Sequence, residues 1–204
     1  AKYHLLHPSW MYWAREPFWM GRRGMAYLNG MTDYALIPKV HTPPIDLPAK
    51  FVAMKWYTRP TFPPSEQVLG FVKDVTARLA AQVPVVLLSS GHGGDDHGDL
   101  RIEGPNIATL PPMPPDQNLA VQIAVLSRAQ GFVGTYGGMA QLALRLGVPS
   151  ASFYEAFGQT CHAHLALSSW LAIKTKVPFA CGSLTDVGVW AQVTSLPALK
   201  SEAA

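Results

Sequence analysis

A parallel sheet with helices on both faces is the fold class this chain predicts, and three stretches predict it. Pro84-Val85-Val86-Leu87-Leu88-Ser89 is an unbroken apolar run of the kind that burial on both faces of a sheet produces. Phe132-Val133-Gly134-Thr135 is a second short run, flanked by glycines. After it come the turn Tyr136-Gly137-Gly138, a helical stripe of Met139, Leu142, Ala143 and Leu146, and a third run from Ser150 to Tyr154. Strand, glycine turn, helix and strand in that order make a βαβ unit with parallel strands.

The other elements follow in order. Residues 1–48 stand apart as an irregular segment rich in aromatic residues, Met and Pro (Trp10, Trp13, Phe18, Trp19, Met11, Met20, Met25, Pro38, Pro43, Pro44, Pro48). Such a segment connects or wraps, and its aromatic and Met side chains suit packing on another domain, an acceptor groove or a membrane interface. A domain is predicted over 49–194. Phe51 to Tyr57 reads as its first strand, followed by a proline-stopped loop over 58–64. Ser65 with Glu66 opens a helix to about Gln82, with Val68, Val72, Val75 and Leu79 inward. Residues 90–105 form a polar glycine-rich loop, and Asn106 to Thr109 a short strand. Asp116 is the expected N-cap of a helix to about Ala129, with Leu119, Ile123 and Leu126 inward. Gly147 and Pro149 end the helix of the βαβ unit. A helix over 161–173 and a weak strand over 177–181 complete the domain. The tail, 195–204, is small and polar, and is expected to fray.

Composition narrows the function. With 49% hydrophobic and 14% charged residues over 204 positions, the chain is core-rich rather than disordered. Net charge is only +3 and Arg22-Arg23 is the one Arg pair, so there is no nucleic-acid footprint. No run of about 18 apolar residues is present, so no spanning helix is expected, although peripheral membrane contact through 1–48 stays open. Cys161 and Cys181 have no metal spacing. With no visible signal peptide, they fit a reduced cytoplasmic setting as well as a disulfide. The chain starts at Ala1 rather than Met, so a piece of something longer is one reading.

The candidate chemistry gathers at the strand ends. Gly137 and Gly138 present backbone N–H groups at a helix start, which attracts phosphate. Lys55 and Arg59, after the first strand, can face the same edge and clamp a diphosphate; otherwise Lys55 pairs with a carboxylate and Arg59 is solvated. The loop holding His92, Asp95, Asp96, His97 and Asp99 matches no metal-ligand spacing, so no metal site is assigned. Asp96 or His97 can instead meet a sugar or base. Glu155, at the end of its strand, can accept ribose hydroxyls or cap the next helix. His162 and His164 would face apart on a helix. There is no Gly-x-Ser-x-Gly elbow, no Walker A motif and no Gly-x-Gly-x-x-Gly after the first strand.

Residues 129–149, with Gly138, Leu142, Ala143, Leu146, Gly147 and Pro149, resemble the nucleotide-sugar-binding half of GT-B glycosyltransferases, the heptosyltransferases among them. The resemblance covers roughly 116–155 and is compatible with most of 50–190. In that family the turn carries Asp, then Ser or Thr, then Gly, with a His three residues later. Here the positions read Tyr136, Gly137, Gly138 and Gln141, so the departures fall on ligand contacts. The resemblance implies a Rossmann-like domain that binds a nucleoside-diphosphate sugar without a metal or other cofactor. It assigns Tyr136 to the diphosphate turn and Gln141 to the nucleotide or sugar. It further implies a glycan, lipid or small-molecule acceptor and a second, N-terminal domain, which would make this chain the C-terminal part of a longer glycosyltransferase. Nucleotide-sugar epimerase chemistry on the same architecture and a non-catalytic nucleotide- or partner-binding module are the alternatives.

Overall fold

The computed structural model describes residues 30, 35–39, 45–88, 98–156 and 162–196, with the side chains of 162–164 excepted. Most of the 1–48 segment, the Asp96 and His97 positions, Cys161 and the end of the tail lie outside the described residues.

Six parallel strands form the main sheet: β1 (Val52–Lys55), β3 (Val85–Leu87), β5 (Ile107–Thr109), β6 (Phe132–Thr135), β7 (Ser150–Tyr154) and β8 (Phe179–Ser183). Their spatial order is β5-β3-β1-β6-β7-β8. Two short strands, β2 (Tyr57–Thr58) and β4 (Gly98–Asp99), pair antiparallel beside it. The helices are α1 (Glu66–Ala80), α2 (Pro115–Arg128), α3 (Gly138–Arg145), α4 (His162–Thr175) and α5 (Val187–Thr194). The fold is therefore α/β and Rossmann-like. The chain builds outward from β1 to β5, then returns to start again at β6, so the order reverses between β1 and β6.

Alternation along the strands sorts the two faces. Val52, Met54, Val85, Leu87 and Val133 pack under α1 and α5 through Val68, Val72, Val75, Val189 and Val193. Phe51, Ala53, Val86, Leu88 and Phe132 pack under α2 and α3 through Val121, Val125, Ala140 and Ala143. Leu171 of α4 packs on Leu144 of α3. Among the described residues, no helix is long and apolar enough to cross a membrane.

Local signals explain most boundaries. Ser65 caps α1 as expected, its hydroxyl accepting from the Val68 N–H at 3.2 Å. Gly147 takes a left-handed backbone (φ +71). Its N–H donates to the Leu144 carbonyl at 3.0 Å and the Val148 N–H to Ala143 at 2.9 Å, the paired bonds of a Schellman stop.

Four expectations need correction. The first strand is broken: the chain leaves β1 at Trp56, and the Thr135 hydroxyl bonds both the Tyr57 N–H and the Tyr57 carbonyl at 3.1 Å in place of a main-chain ladder. Helix α2 starts at Pro115 behind Pro114, because a proline at the first helical position loses no intrahelical bond; Asp116 sits in the first turn instead of capping. One inward position of that helix also differs: Leu126 is buried and Ile123 packs half-buried on the core as expected, but Leu119 is 58% exposed, while Val121, Gln122, Ala124 and Val125 are buried. Finally, α5 was not anticipated, although Asp186 caps it by accepting from Gly188 and Val189. Leu196, just past α5, is fully buried against Gly131, so the packed chain runs into what reads as tail.

Candidate functional site

In a doubly wound sheet, the crevice at the order reversal is the usual ligand position. Here it lies at the carboxyl ends of β1 and β6. Strand β6 ends at Thr135, and the Tyr136 N–H is held by the Phe153 carbonyl at 2.9 Å. Gly137 is the N-cap of α3, makes no side-chain cap bond, and is followed by a first turn without acidic residues. The first N–H groups of a helix have no intrahelical partner, so this end is an uncompensated positive pole. The two glycines differ sharply. At Gly138, which is exposed, an added Cβ would meet nothing within 4 Å. At Gly137 it would come 1.8 Å from the Tyr57 hydroxyl and 3.1 Å from Arg59 Nη1.

Tyr57 and Arg59 are delivered there by the loop after β1. Arg59 and Phe62 exchange backbone bonds at 3.1 and 2.8 Å, closing a tight turn. The Thr61 carbonyl accepts the Glu155 and Ala156 N–H groups at 2.8 and 3.1 Å, so the loop bridges β6 and reaches the end of β7. Its anchor is aromatic: Trp56 stacks on Phe62 at 6.0 Å and donates its indole N–H to Thr76 at 3.1 Å. Arg59 Nη1 reaches the Tyr136 carbonyl at 3.4 Å. Its Nε is buried with no hydrogen-bond partner among the described residues. A buried guanidinium N–H left over in this way calls for an acceptor. Burial raises the Tyr57 pKa against the opposing pull of Arg59, so its hydroxyl stays a neutral donor and acceptor at ordinary pH.

Lys55 makes different contacts. Its ammonium donates to Gln122 Oε1 of α2 at 3.1 Å and lies 4.0 Å from Asp99 Oδ1. Burial lowers its pKa, with Asp99 opposing. The adjoining cavity is about 10 Å³, near the lower limit for a single water.

The expected site residues are thus divided. The structure brings Arg59, Tyr136 and Gly137 together, with Gly138 open beside them. Gln141 lies in the first turn of α3, its N–H on the Gly137 carbonyl at 3.2 Å, and Glu155 is exposed where β7 ends. Lys55 is held by Gln122 and Asp99. Tyr57 is missing from the residues the sequence singled out, although it lies between Lys55 and Arg59 where the chain leaves β1. Among the described residues, no group of three His, Cys, Asp or Glu side chains could hold a metal ion. Cys181 is free, and burial pushes its thiol up to about 12, so it is a poor nucleophile at neutral pH.

Compared with known proteins, the chain finds no match among family models, curated proteins or solved structures.

Proposed function

We propose that this chain is the donor-binding domain of a GT-B-type glycosyltransferase, with a nucleoside-diphosphate sugar as its substrate. The observation that carries the reading is the uncapped N-terminus of α3 at the β1–β6 reversal, with the buried Arg59 Nε, unpartnered among the described residues, beside it. The N–H groups of the first α3 turn and Arg59 take the diphosphate. As the bond between sugar and phosphate breaks, negative charge grows on the leaving diphosphate, and fixed dipoles with one guanidinium stabilise it there. In this reading Glu155, at the end of β7, and Gln141, in the first turn of α3, serve ribose or sugar hydroxyls; Asp96 and His97 keep the role their loop suggests. The acceptor, a glycan, lipid or small molecule, comes with a second domain. A reduced, cytoplasmic setting belongs to this reading.

A thermal-shift screen with UDP, GDP, ADP, dTDP and CMP, with and without Mg²⁺, tests this. At about a hundred times its dissociation constant a ligand stabilises by about 2.7 kcal/mol. One nucleoside diphosphate should raise the melting temperature without metal, and Gly138→Val should remove the shift while leaving the unliganded melting temperature in place. A second reading has its own support. The Tyr57 hydroxyl already packs on Gly137, as it would in a binding module whose glycine turn serves packing alone. No response to any nucleotide would favour that module.

A further inference from the structure

The flank of α1 on the β5 side borders a second opening, independent of the donor site. Lys73, Ala77, Ala80 and Ala81 fall at i, i+4, i+7 and i+8 and line one side of the helix. Facing them, residues 101–104 run back from the carboxyl edge without regular structure, turn at Pro105-Asn106, where the Ile107 N–H donates to the Gly104 carbonyl at 3.3 Å, and enter β5. Leu100, Ile102 and Ile107 of this connection pack against the core. A helix is about 10 Å across and a single non-helical chain about 5 Å, so covering this part of the sheet with this connection leaves room beside α1. The resulting groove is about 530 Å³, within the range of small-molecule sites. Its walls are tied together: Asn106, in a left-handed backbone, donates its side-chain amide to the Ala80 carbonyl at 3.1 Å.

The lining has two chemical halves. Ala77, Ala80, Ala81, Pro105 and Ile107 make an apolar trough. Lys73 and Arg101 add two cations, neither with an ion-pair partner among the described residues, against one carboxylate, Glu103. The groove is therefore apolar along its length and positive on balance. We propose that it binds an amphipathic carboxylate, a hydrocarbon chain lying along the alanine stripe with its carboxylate taken by Lys73 and Arg101. From Lys73 to Ala81 the helix rises about 12 Å at 1.5 Å per residue, which suits a chain of medium length.

Isothermal titration of the full chain with decanoate, butyrate and decanol tests the assignment. Decanoate should bind saturably at one site, and each methylene added from butyrate upward should tighten binding by about fourfold. Replacing both cations (Lys73→Ala with Arg101→Ala) should weaken decanoate by about tenfold or more and leave decanol unchanged. Ala77→Phe, at an exposed position, should fill the trough and abolish binding. Glu103→Gln should strengthen it, a gain that misfolding cannot imitate. Absence of saturable decanoate binding to the wild type overturns the proposal. So does decanoate binding that survives Ala77→Phe, or decanol binding as tight as decanoate.

Discussion

Lys55, the last residue of β1, and Arg59, four residues on and just past β2, end in opposite circumstances. Lys55 turns toward α2, where Gln122 and Asp99 receive its charge and burial lowers its pKa. Arg59 turns toward α3, where a peptide carbonyl takes one N–H and its buried Nε has no partner among the described residues. One side of the sheet's reversal point is internally satisfied and the other is not. A satisfied polar cluster holds parts of the fold together. A guanidinium with one buried N–H unpartnered among the described residues, beside an uncapped helix end, has a capacity the fold itself does not use. The two sides meet at Gly134, where an added Cβ would lie 2.2 Å from the Lys55 carbonyl oxygen, so only glycine lets β1 and β6 approach this closely.

The largest expected effect lies at that seam. Gly134→Ala should cost about 3 kcal/mol in urea unfolding, because the obstacle is backbone and cannot move aside. A cost under about 1 kcal/mol would mean the two strands can separate, and the distinction between the two sides would lose its structural basis. Next come the cations themselves. Arg59→Ala should weaken nucleoside-diphosphate binding by about 1.5–3 kcal/mol, the range for a charged hydrogen bond. Lys55→Met should leave that affinity within about twofold. The reverse pattern would transfer the diphosphate to the Lys55 side.

The pH dependence of stability sharpens the contrast. Lys55 has a lowered pKa in the folded chain against 10.5 in the reference state. Between the two values the unfolded chain binds a proton that the folded chain has released. Its contribution to stability therefore rises with pH through that window, by at most about 1.4 kcal/mol per unit. The stability difference between wild type and Lys55→Met should climb as pH rises toward 10.5, and a flat difference would mean the amine is not held as the geometry indicates. The smallest effect is expected at Gly138→Ala, where the new methyl meets nothing: unfolding free energy should change by no more than about 0.5 kcal/mol.

The fold was legible where local signals agree with one another. The apolar runs at 85–87 and 132–135, the Ser65 cap and the Gly147 stop each have one reading, and each appears in place. Helix α2 was legible in extent and in most of its facing, with Leu126 buried and Ile123 on the core; Leu119 lies near the exposed start of the helix, where the apolar period alone does not tell a covered position from an open one. The candidate site was legible as a position along the chain, because a glycine turn after a buried strand marks a helix N-terminus. Its internal division was not. Whether Lys55 finds a carboxylate depends on Asp99, 44 residues away, arriving through the β2–β4 pairing. Tyr57 was hidden for a similar reason: nothing local says that a tyrosine will pack on a glycine 80 residues later.

Phosphate taken by the uncapped end of α3 would perturb the amide chemical shifts of its first turn directly. A ¹⁵N-labelled chain titrated with the nucleoside diphosphate that stabilises it most should show saturable shifts at Gly138, Met139 and Ala140 and at the Arg59 Nε–H. The signals of Asp99 and Gln122 should stay in place. Saturable shifts confined to the Lys55 side, or binding that leaves the first turn of α3 untouched, would contradict it.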